Sequence, residues 1–238
     1  MATNRTPVIP RVIGHRGAAA RAPENTLAGF RKAAALGCRW VEFDVRLSGD
    51  DKPVVFHDDT LERLTGGAGP VGRTALRDLL RLTNGGEPIP TLADALLQLG
   101  QSGLGGNLEM KAEPGREDDL ARAVAHGIAA TNVELLITSF SLPAVAAIAR
   151  LAPDTPRGIL TERLAPDWQA AATAFGAAAM VCDHRDLTRN DAISVRDAGL
   201  ILLSYTVNDP ARARALWDWG VSGVITDAPD TILAALPN

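Results

Sequence analysis

Short apolar runs rich in β-branched residues alternate with amphipathic segments from one end of the chain to the other. This alternation predicts a parallel sheet covered on its outside by helices. Eight runs read as strands: Arg11–Gly14, Arg39–Arg46, Gly106–Lys111, Leu135–Phe140, Arg157–Leu160, Ala179–Asp183, Leu200–Val207 and Val221–Thr226. The segments between them carry helix punctuation. Asn25 or Thr26 can cap a helix with Leu27, Phe30, Ala33 and Leu36 at helical spacing, and Gly37 stops it. Thr91 with Asp94 forms a capping-box pattern, and Asp209-Pro210 places a cap and an N1 proline before Ala213, Leu216 and Trp217. The number and order of elements predict an α/β fold, a closed (β/α)8 TIM barrel, as one domain over residues 1–238.

One stretch breaks the alternation. After the second strand, Ser48 to Lys52 is too short for the crossover that a parallel partner needs, yet Pro53–Phe56 is strand-like. An antiparallel hairpin is the remaining solution. If residue 47 pairs with about 53, the chain returns so that His57 lands beside Glu42 and Asp44 at the barrel mouth. Asp58–Pro90, rich in glycine, then reads as a compact cover, so that the insertion after the second strand runs over about 46–90.

Composition narrows the function classes. With 46% apolar and 22% charged residues the chain is globular, and a net charge of −4 with scattered basic residues lacks the footprint of a nucleic-acid binder. Neither a secretory leader nor a membrane-spanning run is visible, which predicts a cytoplasmic protein without stable membrane association. Cys38 and Cys182 lack metal-ligand spacing and are expected as buried free thiols. A monomer or a homodimer is compatible with this composition.

Barrel enzymes carry their chemistry at the C-terminal ends of strands. There the sequence places His15, Arg16 and Gly17 after the first strand, Glu42 and Asp44 on the second, and Glu109 and Lys111 on the third. Residues two apart in a strand share a face, and Val41, Phe43 and Val45 supply the apolar opposite face, so Glu42 and Asp44 are expected to point inward. Three carboxylates in one mouth repel each other unless a cation lies among them. An all-oxygen donor set suits Mg²⁺ or Ca²⁺ better than zinc. Arg16 and Lys111 would bind an anionic phosphoryl group, and Phe140 would line the pocket beside it. His15 and His57 suit transfer of a proton from a nucleophilic hydroxyl and to a departing alkoxide, because imidazole titrates near neutrality.

Each element has a bland reading when taken alone. His15-Arg16-Gly17 could be a strand end, Glu42 and Asp44 a solvent edge, and Glu109 with Lys111 a plain ion pair. The bland account weakens when all converge on one mouth. His126 and His184 are expected to be structural or solvated.

The pattern as a whole resembles the glycerophosphodiester phosphodiesterase family. The resemblance rests on His15-Arg16-Gly17, Pro23-Glu24-Asn25-Thr26, Gly37, Glu42 through Val45, Pro53 through Asp58, Leu61, Arg63 through Thr65, Leu108 through Lys111, Ser139-Phe140, Tyr205 through Asn208 and Gly220 through Asp227. It implies metal ligation by Glu42, Asp44 and Glu109, acid–base work by His15 and His57, and hydrolysis of a small glycerophosphodiester to glycerol 3-phosphate and an alcohol. It further implies attack by the glycerol 2-hydroxyl through a cyclic phosphate, which benefits from high effective molarity. Glu24 and Asn25 are expected to shape the loop after the first strand and cap its helix. Tyr205 stands where many members carry Trp, and the glycine-rich segment 66–72 departs from the pattern of the cover. Two alternatives remain: a lysophospholipid substrate, disfavoured by the lack of aromatic anchors in the insertion, and a non-catalytic phosphometabolite sensor, which would need no pair of histidines.

Overall fold

The computed structural model describes residues 7–236. Eight parallel strands close into a barrel: β1 (Val12–Gly14), β2 (Trp40–Leu47), β3 (Gly105–Met110), β4 (Leu135–Ser139), β5 (Arg157–Thr161), β6 (Ala179–Asp183), β7 (Ile201–Tyr205) and β8 (Gly223–Thr226). Closure is direct. Val12, Ile13 and Gly14 pair with Val224, Ile225 and Thr226, while Ile13 and Gly14 pair on the other side with Trp40 and Val41.

Helices α1 (Leu27–Ala35), α2 (Leu92–Ser102), α3 (Glu117–Ile128), α4 (Leu142–Leu151), α5 (Trp168–Phe175), α6 (Arg189–Asp197), α7 (Pro210–Asp218) and α8 (Pro229–Leu233) follow the strands. Their starts follow local chemistry. The Thr26 hydroxyl accepts from Gly29 N, Thr91 and Asp94 form a reciprocal capping box, and Asp209 accepts from Ala211 N ahead of Pro210. Each such cap contributes roughly 1 kcal/mol. Thr188 and Asp191 form a second capping box at the start of α6. Among the described residues, no helix is long and apolar enough to cross a membrane.

Strand alternation sets what each face buries. Trp40, at the bottom of β2, joins Ile13, Leu136, Leu160, Leu203 and Ile225 in the barrel interior. Val41, Phe43 and Val45 point outward into the layer shared with α1, α2 and α3, where the Phe30 and Phe43 rings meet at 5.6 Å. The inward positions above Trp40 are therefore Glu42 and Asp44.

The expected hairpin is present. Leu47, Arg46 and Val45 pair antiparallel with Pro53, Val54 and Val55, and Phe56 N donates to Asp44 O at 3.0 Å. On this return strand, Val55 joins the layer between barrel and helices, while Val54 and Phe56 seed a separate apolar cluster with Leu61, Val71, Leu79 and Ile89. That cluster gives the insertion its own small core, completed by a 3₁₀ turn (Val71–Arg73), a helical turn (Leu76–Leu79) and a two-residue ladder joining Thr83–Asn84 to Glu87–Pro88.

Strand ends differ from the sequence expectation by one or two residues. Lys111 and Phe140 lie one residue beyond β3 and β4. Val221 belongs to the turn that ends α7, because its N–H bonds to Leu216 O. Val207 keeps a bond to Ile225 O but lies outside regular β7.

Candidate active site

Three carboxylates meet at the C-terminal mouth. In-register pairing of β2 with β3 sets Asp44 beside Glu109 and Glu42 beside Asn107. Glu42, Asp44 and Glu109 are all buried, and one oxygen from each lies within 4.8 Å of the others. Burial and the neighbouring Asp44 and Glu109 charges push the Glu42 carboxyl well above its ordinary range. Burial and Asp44 likewise raise Glu109 to about 7, outweighing the Lys111 ammonium 2.6 Å from its Oε1. Asp44 goes the other way. Burial would raise it, but the Lys111 and Arg16 charges hold it below the usual carboxylate range.

The donor set fits a hard divalent cation. Glu42 Oε1 is buried without a hydrogen-bond partner, and Glu109 Oε1 is paired with the Lys111 ammonium at 2.6 Å. A buried, unpartnered carboxylate oxygen among mutually repelling acids is what a cation with oxygen ligands would satisfy.

Each histidine is oriented by its own aspartate. His15 Nδ1 lies 2.6 Å from Asp227 Oδ1, and His15 Nε2 lies 3.8 Å from Glu42 Oε2. Asp227 follows the end of β8 and is held by Asn208 Nδ2 at 2.7 Å; bonds to His15 and Asn208 keep it ionised below the usual range despite burial. His57 Nδ1 lies 2.7 Å from Asp58 Oδ1. Asp58 is held far below the usual range, chiefly by hydrogen bonds from Arg63 and also by His57. An ionised carboxylate can only accept, so both imidazoles carry their proton on Nδ1 when neutral. Burial lowers His57, an effect that the Asp44 charge opposes and the Lys111 and Arg16 charges reinforce.

Arg16 adopts a left-handed backbone conformation, with φ of 50°, that aims its N–H at Glu42 Oε2 (2.9 Å). Its Nη1 donates to Glu24 Oε1 at 2.6 Å, and its Nε lies 3.5 Å from Asp44 Oδ2. Lys111 Nζ lies 3.5 Å from Asp44 Oδ1 and 5.7 Å from the centre of the Phe140 ring. Phe140, 46% exposed, meets Tyr205 edge-on at 6.2 Å, and the Tyr205 hydroxyl donates to Thr161 O. All eight sequence-selected residues thus gather around one mouth. His126 lies in the last turn of α3, and His184 follows β6, where its carbonyl accepts from Arg212.

Sequence reasoning missed the supporting residues. Asn25 does not cap α1; Thr26 does, because Asn25 is buried at φ 55° with its amide turned inward. Its Nδ2 donates to Asp44 Oδ2 at 2.8 Å, and its Oδ1 accepts from Asp44 N at 3.2 Å. Asp227 carried a readable signal, because it follows the last barrel strand and closure brings that strand beside the first. Asp58 was adjacent to a selected histidine. Glu24 shapes the loop as expected, but through Arg16 and Arg63 and not through the helix cap.

Comparison with known proteins gives the family. Residues 15–231 match the glycerophosphoryl diester phosphodiesterase family. Bacillus subtilis YhdW is 32% identical over 237 residues, covering 93% of this chain and 96% of that one. A glycerophosphodiester phosphodiesterase of Caldanaerobacter subterraneus is 30% identical, with coverage of 93% and 96%. The structure of an Oleispira antarctica phosphodiesterase in complex with the product sn-glycerol-3-phosphate superposes with a TM-score of 0.93. It is 34% identical, and the match covers 95% of this chain and 96% of that one. With nearly its whole length matched in sequence and in fold, the chain belongs to the glycerophosphoryl diester phosphodiesterase family.

Proposed function

We propose that this protein hydrolyses small glycerophosphodiesters to glycerol 3-phosphate and an alcohol. On this reading Glu42, Asp44 and Glu109 hold Mg²⁺ or Ca²⁺, and His15 and His57 move the protons. The observation that carries it is the acidic cluster, whose oxygens lie within 4.8 Å of one another, with the His15 imidazole 3.8 Å from Glu42. The product bound to the Oleispira antarctica protein supports the choice of substrate class.

The bound cation would offset the carboxylate charges and polarise a phosphoryl oxygen. Arg16 and Lys111 add fixed positive charge for the anionic phosphodiester, and Lys111 faces the charge that develops as the alcohol leaves. Because Asp227 and Asp58 commit both Nδ1 atoms, Nε2 is the exchanging nitrogen on each ring. One imidazole takes the proton of the glycerol 2-hydroxyl as its oxygen bonds to phosphorus; the other protonates the alkoxide as the old P–O bond breaks. Water then opens the cyclic phosphate with the proton roles reversed. Phe140 and Tyr205 form the apolar wall beside the glycerol.

The direct test is release of glycerol 3-phosphate from glycerophosphocholine, glycerophosphoethanolamine and glycerophosphoglycerol. Activity is expected with Mg²⁺ or Ca²⁺ and should vanish under chelation. No release from any of the three by ion-loaded protein, or equal release after stripping, would remove the proposal.

A further inference from the structure

We infer that Arg63, a half-exposed residue of the insertion, is a positioning residue that sets His57 and Arg16 together for the reaction. The inference rests on the proposed function above. Its guanidinium clamps two carboxylates at once. Nε and Nη2 donate to Asp58 Oδ2 and Oδ1 at 2.5 and 2.8 Å, while Nη1 and Nη2 donate to Glu24 Oε2 and Oε1 at 3.0 and 2.8 Å. Asp58 in turn fixes His57 Nδ1 at 2.7 Å, and Glu24 fixes Arg16 Nη1 at 2.6 Å. The order His57, Asp58, Arg63, Glu24, Arg16 therefore runs unbroken from the imidazole to the guanidinium.

A second observation places the same insertion on the same loop. Asn84 Nδ2 donates to Glu24 O at 2.7 Å, and a Cβ added to Gly85 would meet Pro23 Cγ at 2.5 Å. The cover thus rests on the loop between β1 and α1 through both the side chain and the backbone of Glu24. Only arginine can serve at position 63, because two carboxylates in four bonds need a planar fork of five donors, and an ammonium offers a single point charge.

Exposure separates positioning from mere structure. Its side chain is 48% exposed while Glu24 and Asp58 are mostly buried, so the bidentate, networked pairs add a modest amount to folding. Supporting groups behind a reacting group nonetheless change activity by about 10- to 100-fold when removed. Loss of Arg63 should therefore lower stability modestly while striking turnover.

The experiment compares wild type with Arg63→Ala and Arg63→Lys on glycerophosphocholine at saturating Mg²⁺, with Arg77→Ala as an exposed insertion arginine outside the clamp. The low-field proton resonance of His57 Nδ1–H, identified by its loss in Asp58→Asn, is followed in parallel without substrate. For Arg63→Ala we expect kcat to fall by about 10- to 100-fold, with a smaller change in KM, a melting temperature lowered by a few degrees at most, and a broadened or shifted His57 resonance. Arg63→Lys should remain close to Arg63→Ala, and Arg77→Ala should match wild type. An unchanged kcat in Arg63→Ala, full recovery in Arg63→Lys, or an undisturbed His57 resonance would overturn the inference. Inactive wild type would sink the hydrolytic reading instead, leaving the resonance to decide whether Arg63 orders His57.

Discussion

Asp227 holds His15 Nδ1 at 2.6 Å across the seam where the last barrel strand closes on the first, although 212 residues separate them in sequence. The contact exists only because the barrel closes. Closure thereby fixes which imidazole nitrogen faces Glu42.

Asp227→Asn tests that contact. An amide can present its NH₂ to Nδ1 and so favour the wrong tautomer, with the proton on Nε2. We expect kcat to fall by at least about 10- to 100-fold with little change in KM. Steady-state kinetics on glycerophosphocholine give the answer, and kcat at the wild-type level would show that His15 needs no such partner.

The barrel, its hairpin and the eight mouth residues were legible in sequence because each depends on local alternation or on strand-end position. Glu42 and Asp44 announce their face through Val41, Phe43 and Val45. Asn25 was misread because its neighbour Thr26 offers the same capping chemistry; only the positive φ at Asn25 turns its amide toward Asp44. Arg63 gave no local signal of its bond to Glu24, which lies 39 residues away and on another loop. Long-range carboxylate partners are set by tertiary packing, which periodicity does not encode.

Asn25→Ala should therefore act on both stability and the cation. It removes a donor and an acceptor from buried Asp44 and places alanine at a left-handed position. A loss of about 1–3 kcal/mol in folding free energy is expected from the unsatisfied groups. Cation affinity should fall by about 10- to 100-fold as Asp44 loses its anchor. Denaturant unfolding and calorimetric titration with Mg²⁺ measure the two effects separately, and intact affinity would show that Asp44 holds its place unaided.

The raised carboxyls give the cation a pH-dependent effect on stability. Glu109 titrates at about 7 and Glu42 well above its ordinary range when metal-free, against about 4.3 for glutamate in an unfolded chain. Between those values the folded state keeps protons that the unfolded state has released. Their contribution to stability is thus full below the unfolded pKa and is lost as pH rises through the folded one. Bound cation replaces the proton, so Mg²⁺ or Ca²⁺ should raise the melting temperature more at about pH 8 than at about pH 5. Thermal melts with ion and with chelator at both pH values measure this, with Glu109→Gln expected to flatten the difference. Equal increments at the two pH values would show that the carboxylates carry no extra protons.

Lys111 sits where two roles meet. Its ammonium lies 2.6 Å from Glu109 and 3.5 Å from Asp44, offsetting their repulsion, and its place at the mouth suits it to charge developing on the phosphoryl oxygens. Lys111→Met keeps much of the stem's volume while deleting the charge and with it the ammonium's approach to the Phe140 ring. If the ammonium acts mainly on the transition state, kcat should drop by about 10²- to 10³-fold at saturating cation, as for loss of a preorganised donor. If it acts mainly by partnering the acids, added divalent ion should substitute for it, and kcat should recover as the ion concentration rises. The mouth geometry favours the first outcome. On the proposed reading a cation among the three carboxylates would already offset the acids, and Lys111 and Arg16 carry the permanent positive charges acting on Asp44. A kcat series against Mg²⁺ concentration separates the two outcomes, and full recovery at high ion would assign Lys111 to holding the acids.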